Sequence, residues 1–385
     1  MSDRVRFLVG WDRTNPVSIF AQPGNGSFVF VVTLIGAVAG GLSLRLASAI
    51  NATYMNWRRL IWIVLAAALL ILFIVFNKTL FKGASLPPKP VQKNDSALTE
   101  WRAPDLNLIT STEERALIVY GRELISNTSK YLGPKGIVAE ITNGMNCQNC
   151  HIDAGAKPYG NCFSAVAANY PQFRNRSGII ESIEFRINDC LQRSLNGEKI
   201  DSLDKEMRAM VAYLKWIGKD VPPKVKPAGA GTIELAFLSR PADTLKGKLV
   251  YAGKCVTCHG KEGEGIWKAD STGYTYPPLW GPHSYNTGAG LYRLTRFAGY
   301  VKYNMPFAIA SYEKPQLTDE EAWDVAAFVN SQPRPVKFFK KDWPDISKKS
   351  IDYPYGPYTD TFSSTQHKYG PFEPIDKARK AITKK

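Results

Sequence analysis

The pattern C-x-x-C-H occurs twice in the chain, once in "NCQNCHIDAG" with Cys147, Cys150 and His151, and again in "KCVTCHG" with Cys255, Cys258 and His259. Two thiols at this spacing add to the vinyl groups of a haem, and the histidine that follows becomes an axial ligand of its iron. A zinc site needs roughly four Cys or His ligands, and a redox C-x-x-C does not fix a histidine next to it. The pair therefore predicts two covalently attached haem c groups.

At 385 residues the chain is longer than two small haem domains require. The excess begins at the front. Residues 60–76, "LIWIVLAAALLILFIVF", are apolar without a break, and the residues up to Phe81 extend the run toward bilayer length. An earlier run, residues 28–44, is interrupted only by Thr33 and Ser43 and carries Gly36 and Gly40 at a spacing that lets two membrane helices approach. We expect a transmembrane hairpin with spans at about 28–46 and 59–78, after an N-terminal segment 1–27. No cleavable signal peptide is evident.

Haem is attached outside the cytoplasm, so the chain after residue 82 is expected on the periplasmic face of a bacterial inner membrane. The loop between the spans carries Arg45, Arg58 and Arg59 and no acidic residue, as the cytoplasmic side prefers. Lys78, Lys82, Lys89 and Lys93 lie on the other side, so the haem constraint decides the orientation. The net charge of +15 suits a small dianion, an acidic partner cytochrome or anionic lipid, as well as a plain solvated surface. A location outside the cytoplasm argues against nucleic acid.

Proline-containing stretches at 83–104 and 218–243, the latter with "VPPKVKPAGAG", read as linkers. They delimit haem domain 1 at 105–217, haem domain 2 at 244–335 and a tail at 336–385. Each domain opens and closes with a helix. Ser111 and Glu114 precede "RALIVYGRELI", and Thr318 and Glu321 open "LTDEEAWDVAAFVNSQ", both at capping-box spacing. "TLKGKLVYAGKCVTCHG" runs a helix into the second haem motif, and "DKEMRAMVAYLKWIG" closes the first domain. The fold expected is mainly α, with two cytochrome c-like domains in tandem behind the membrane hairpin. The tail segment "DYPYGPYTDTFSSTQHKYGPF" shows no helical period and reads as a wrap over the domains, and His283 and His367 read as structural.

The repeat also serves as a ruler. Placing "MVAYL" over "VAAFV" puts Tyr213 over Phe328. Met305, in "YNMPFA", lies 23 residues before Phe328, and the residue 23 before Tyr213 is Cys190. Methionine is a usual sixth ligand of a cytochrome c haem, so the first haem is offered a cysteine in the equivalent place. "GIIESIEFRINDCLQRSLNG" reads as an amphipathic helix with Ile183, Ile187 and Cys190 on one face. Arg186 lies four residues before Cys190, and Arg193 and Ser194 lie three and four after it. Positive charge and a nearby iron favour thiolate. The alternative is a disulfide between Cys162 and Cys190, with Met207 or Met210 as the substitute ligand.

"MNCQNCHIDAG", "YPQFRNRSG", "RINDCLQRSLNG", "PPLWGPHSYNTGAGLYRL" and "NMPF", in that order, resemble the dihaem cytochromes c of the thiosulfate dehydrogenase family over roughly residues 105–335. The resemblance implies that Cys190 ligates the active-site haem opposite His151, and that Met305 ligates the second haem with His259. It implies a reaction that joins two thiosulfate ions into tetrathionate with release of two electrons, or the reverse. Arg174, Arg176, Arg186 and Arg193 can then supply cationic forks to the dianions, or else pair with haem propionates. The acceptor implied is a cytochrome or terminal oxidase. Cys162 and the membrane anchor depart from the family pattern. The rival expectation is a non-catalytic relay or a cytochrome subunit of a membrane respiratory complex.

Overall fold

The computed structural model describes residues 61, 62, 64, 65, 67–73 and 101–383, and the chain divides into two units between Lys89 and Pro90. In the first unit the described residues are helical, with Ile61, Trp62, Leu69, Leu70, Leu72 and Phe73 exposed. Among the described residues no helix is long and apolar enough to cross a membrane. The expected span at 28–46 and most of the linker at 83–104 lie outside them.

The second unit holds two haem domains and the tail. In the first domain, helix α1 (Thr112–Ser126) is capped by Ser111, whose hydroxyl accepts from the Glu114 N–H at 3.2 Å. The short α2 (Thr128–Leu132) leads to the first haem motif, and α3 (Val166–Asn169) precedes a hairpin of β1 (Gln172–Arg174) and β2 (Ile179–Glu181). Helix α4 (Ile183–Arg193) carries Cys190, and α5 (Lys205–Ile217) closes the domain. In the second domain α6 (Thr244–Lys254) runs into α7 (Val256–His259), so the second haem motif is helical. A small hairpin of β3 (Ile266–Trp267) and β4 (Tyr274–Tyr276) follows. Helix α8 (Leu294–Asn304) ends at Met305, and α9 (Asp319–Ser331) has the full capping box of Thr318 and Glu321.

The opening and closing helices of each domain cross at a glycine. A Cβ on Gly121 of α1 would stand 2.9 Å from the Cβ of Tyr213, and a Cβ on Gly247 of α6 would stand 2.9 Å from the Cβ of Phe328. Both would also strike the carbonyl four residues earlier on the partner helix, that of Ala209 or Asp324. The crossing is thus the same in both domains, and it pairs Tyr213 with Phe328, as the sequence ruler does. The first core gathers Ile118, Leu124, Leu132, Leu191 and Tyr213, together with Met207 and Met210, both fully buried. The second gathers Leu294, Phe297, Trp323, Val325 and Phe372, with Met305 against its edge.

Two readings of the sequence need correction. Segment 218–243 is not a spacer: Val221, Ala230, Leu235 and Ala242 are buried, the Trp323 indole donates to the Ala236 carbonyl at 3.1 Å, and Arg240 pairs with Asp324. Its prolines stop helices but leave its apolar side chains free to pack. Trp101, at the end of segment 83–104, is likewise buried in the first core. The tail is not without helices, because it forms α10 (Ser364–Tyr369) and α11 (Glu373–Thr383). Ser363 caps α10, and the Phe372 ring lies against Phe237 and Trp323. Both ring nitrogens of buried His367 face acceptors, the Ile351 carbonyl at 2.6 Å and Asp360 at 2.9 Å, and Arg379 holds the same carboxylate. His283 lies edge-on to Trp267.

Candidate functional site

In the first haem motif, a 3-10 turn at Cys147–Asn149 brings the two cysteines round to His151. The His151 Nδ1–H donates to the Asn161 carbonyl at 2.7 Å, and Phe163 stacks on the ring. Burial lowers the imidazole to about 4, the Asn161 carbonyl opposes this, and Arg186 lowers it further. A neutral ring with its proton fixed on Nδ1 presents Nε2 as an acceptor, approached at 3.4 Å by the Asn161 side-chain amide, and that lone pair is the one a metal would take. His259 repeats the arrangement, donating from Nδ1 to the Pro277 carbonyl at 2.8 Å, and burial lowers it too. Each domain thus offers two thiols and an oriented histidine against an apolar core, which fits a covalent haem.

Helix α4 starts at Ser182, whose hydroxyl accepts from the Phe185 N–H at 3.2 Å. Its buried face is Ile183, Ile187 and Leu191, and Cys190 is half-buried at the edge of that face. Cys190 is near enough to Cys147, Cys150 and Arg186 for its charge to act on all three. Burial pushes Cys147 up to about 11, opposed by a hydrogen bond with Thr128 and reinforced by Cys190. Burial pushes Cys150 up to about 12, with Cys190 and Cys147 adding. Cys190 is the largest influence raising the Arg186 guanidinium above its ordinary range; burial opposes it, and Asp189 adds.

Cys162 and Cys190 are not joined in a disulfide. Cys162 is buried in the first core, its backbone bridges to Ala230 and Gly231, and its sulfur accepts from the Ser164 N–H at 3.5 Å. This thiol is structural.

The four arginines divide. Arg176, Arg186 and Arg193 all donate to Asp189, a buried carboxylate that the sequence reading passed over. Burial opposes its ionisation, but the three guanidiniums outweigh burial and hold it below the usual carboxylate range. Arg176 also donates to the Gly288 carbonyl, and Arg193 makes a second, two-pronged pair with Asp342 of the tail at 2.7 Å on each prong. Side-chain exposure falls from 31% for Arg186 to 16% for Arg176 and 7% for Arg193, so Arg186 is the most solvent-exposed of the three. Arg174 stands apart at the end of β1, near Arg296. The N–H of Ser194, at the end of α4, donates to the Cys190 carbonyl at 2.8 Å.

The two domains meet at this site. The Tyr300 hydroxyl of α8 donates at 2.8 Å to the carbonyl of Asn149, inside the first haem motif. Asn286 binds the end of α4, with its side-chain amide donating to the Gln192 carbonyl and to Asn196 Oδ1, both at 2.8 Å. Sequence reasoning missed Asn286, Asp189 and Asp342. Of these only Asp189 had a local signal, at three and four residues from Arg186 and Arg193.

Residues 138–222 match the family model "SoxA/TsdA, cytochrome c domain", and residues 245–333 match "Cytochrome c". The thiosulfate dehydrogenase of Psychrobacter arcticus is 37% identical over 245 residues, which are 63% of this chain and 72% of that one. The chain belongs to the thiosulfate dehydrogenase family. The Allochromatium vinosum thiosulfate dehydrogenase is 38% identical over 57% of this chain and 78% of its own. The solved thiosulfate dehydrogenase (TsdBA) of Marichromatium purpuratum aligns with a TM-score of 0.57 at 27% identity, over 62% of this chain and half of that longer one. Members of this family are dihaem c-type cytochromes, and this one is an oxidoreductase with two covalently bound haem c groups.

Proposed function

We propose that the chain is a membrane-anchored dihaem cytochrome c that oxidises thiosulfate to tetrathionate, or runs the reverse, with a respiratory cytochrome or terminal oxidase as electron partner. The relatives' shared name supports the substrate, and the observation that carries the reading is the Cys190 thiol beside Arg186 at the first haem motif. A thiol flanked by a guanidinium and by two haem-attachment cysteines has a purpose in sulfur chemistry that a plain relay lacks.

His151 and Cys190 would hold the iron of the first haem, and His259 and Met305 that of the second. When bound, the haems supply the one-electron acceptors that a two-electron oxidation needs. Two thiosulfate dianions form one bond between their sulfane sulfurs, two electrons leave, and no atom or proton is lost. The chain's part is to bring like charges together. Arg186 offers donors beside Cys190, Arg174 adds charge from β1, and Arg176 and Arg193 brace the cluster through Asp189.

The haem domains at 105–217 and 244–335 would face the periplasm of a bacterial inner membrane, held by spans at about 28–46 and 59–78 in contact with lipid and with any partner subunits. The exposed apolar helix within residues 61–73 supports the second span.

Thiosulfate-dependent haem reduction by the purified, haem-loaded chain tests the reading. Reduction of the haems by thiosulfate supports it. Haems that dithionite reduces and thiosulfate does not would favour the relay.

A further inference from the structure

The tail contributes to the arginine cluster. Asp342 grips Nη1 and Nη2 of Arg193 at 2.7 Å each, and the Phe339 ring covers the same guanidinium at 3.6 Å from its centroid. The Trp343 N–H donates to the Arg176 carbonyl at 2.6 Å, and the Asp342 N–H donates back to the Phe339 carbonyl at 2.9 Å, which closes the segment into a turn. This turn fits because Gly288 lacks a side chain: a Cβ there would stand 2.5 Å from the Phe339 ring and 3.0 Å from Arg193 Nη1.

Three guanidiniums around one carboxylate leave an excess of buried positive charge. With Asp342 the group of five carries a single net positive charge; without it, the outer fork of Arg193 is a buried pair of donors that attracts whatever anion can reach it. Arg193 gives Nε to Asp189 and both terminal nitrogens to Asp342, so each of its three nitrogens is engaged by a carboxylate. The Arg186 guanidinium gives one N–H to Asp189 and makes no other hydrogen bond among the described residues.

We propose that Asp342 is a positioning and specificity-determining residue of the Cys190 site: it occupies the fork of Arg193 as a built-in anion and leaves Arg186 as the one cluster guanidinium that meets the anionic substrate. The inference rests on the reading of this site as a thiosulfate site. The tail is then part of the active site, and the two cytochrome domains alone do not complete it.

The test uses the full-length, haem-loaded protein with Asp342→Asn, which keeps the shape and removes the charge, and Asp342→Glu, which keeps the charge. Thiosulfate KM and kcat are measured, together with the rise in Tm on adding sulfate, a dianion that does not donate electrons here. Asp342→Asn is expected to raise KM on the order of ten-fold with a smaller change in kcat, because misplaced cluster charge acts on binding before it acts on chemistry. The same variant should show a larger sulfate-induced rise in Tm than wild type, because the freed fork becomes an anion site. Asp342→Glu should restore both toward wild type. An Asp342→Asn protein with wild-type KM and a wild-type sulfate response overturns the proposal, even if its Tm is lower. If thiosulfate fails to reduce the wild-type protein, the substrate reading is what fails, and the sulfate response still decides the role of Asp342.

Discussion

The side-chain amide of Asn286 lies 2.8 Å from the carbonyl of Gln192, so a residue of the second haem domain closes the end of the helix that carries Cys190 in the first. Asn286 is fully buried, and its backbone N–H also donates to the Arg193 carbonyl at 3.1 Å. A helix end leaves carbonyls without intrahelical partners, and here the neighbouring domain satisfies two of them. Asn286→Ala should cost roughly 1–3 kcal/mol through the orphaned acceptors. Denaturant unfolding followed separately by the absorbance of the two haems should show the first destabilised at least as much as the second.

The glycine crossings predict a symmetric result. Alanine in the open interior of a helix gains up to about 1 kcal/mol over glycine. At Gly121 and Gly247 the added methyl meets the backbone of the crossing helix, which cannot move aside as a side chain can. Overpacking should therefore win, and Gly121→Ala and Gly247→Ala should each destabilise by roughly 1–3 kcal/mol, measured as a lower denaturant midpoint at unchanged slope.

Asp360 predicts a pH effect on the tail. Burial opposes its ionisation, and hydrogen bonds from His367 and Arg379 outweigh burial and hold the carboxyl below its ordinary range. A depressed folded-state value means stability that is fully present above the unfolded value near 4 and lost as pH falls through the folded one. Asp360→Asn should lower stability at neutral pH and flatten its loss below about pH 4, read from Tm against pH.

Met305, at the end of α8, lies against the second core and away from Cys190 in sequence and domain. Met305→Ala should change the absorbance and EPR spectrum of one haem and leave the other as in wild type. A change in both spectra would contradict separate ligation of the two haems.

The haem motifs, the helices that flank them and the helix that carries Cys190 were legible because each rests on a local pattern or on the internal repeat. Tyr213 and Phe328 occupy equivalent places at the two glycine crossings, which is why the two closing helices align in sequence. The partners of the arginines were not legible. Asp342 lies 149 residues from Arg193, and no periodicity joins them. Asp189 sat inside a quoted motif, but one acidic residue in a basic helix reads as a solvated charge until its burial is known. In the tail, proline and glycine around α10 hid two short helices whose packing comes from the second domain.

Thiosulfate-dependent reduction of a fully haem-loaded Cys190→Met protein tests the central claim most directly. Methionine keeps a sulfur at the position but has no thiolate to bond with a sulfane sulfur or to balance Arg186. The expected result is full reduction by dithionite together with loss of thiosulfate-dependent reduction on the order of 10³-fold or more. Thiosulfate reducing that protein at a rate near wild type would contradict the assignment of Cys190 as the centre of the site.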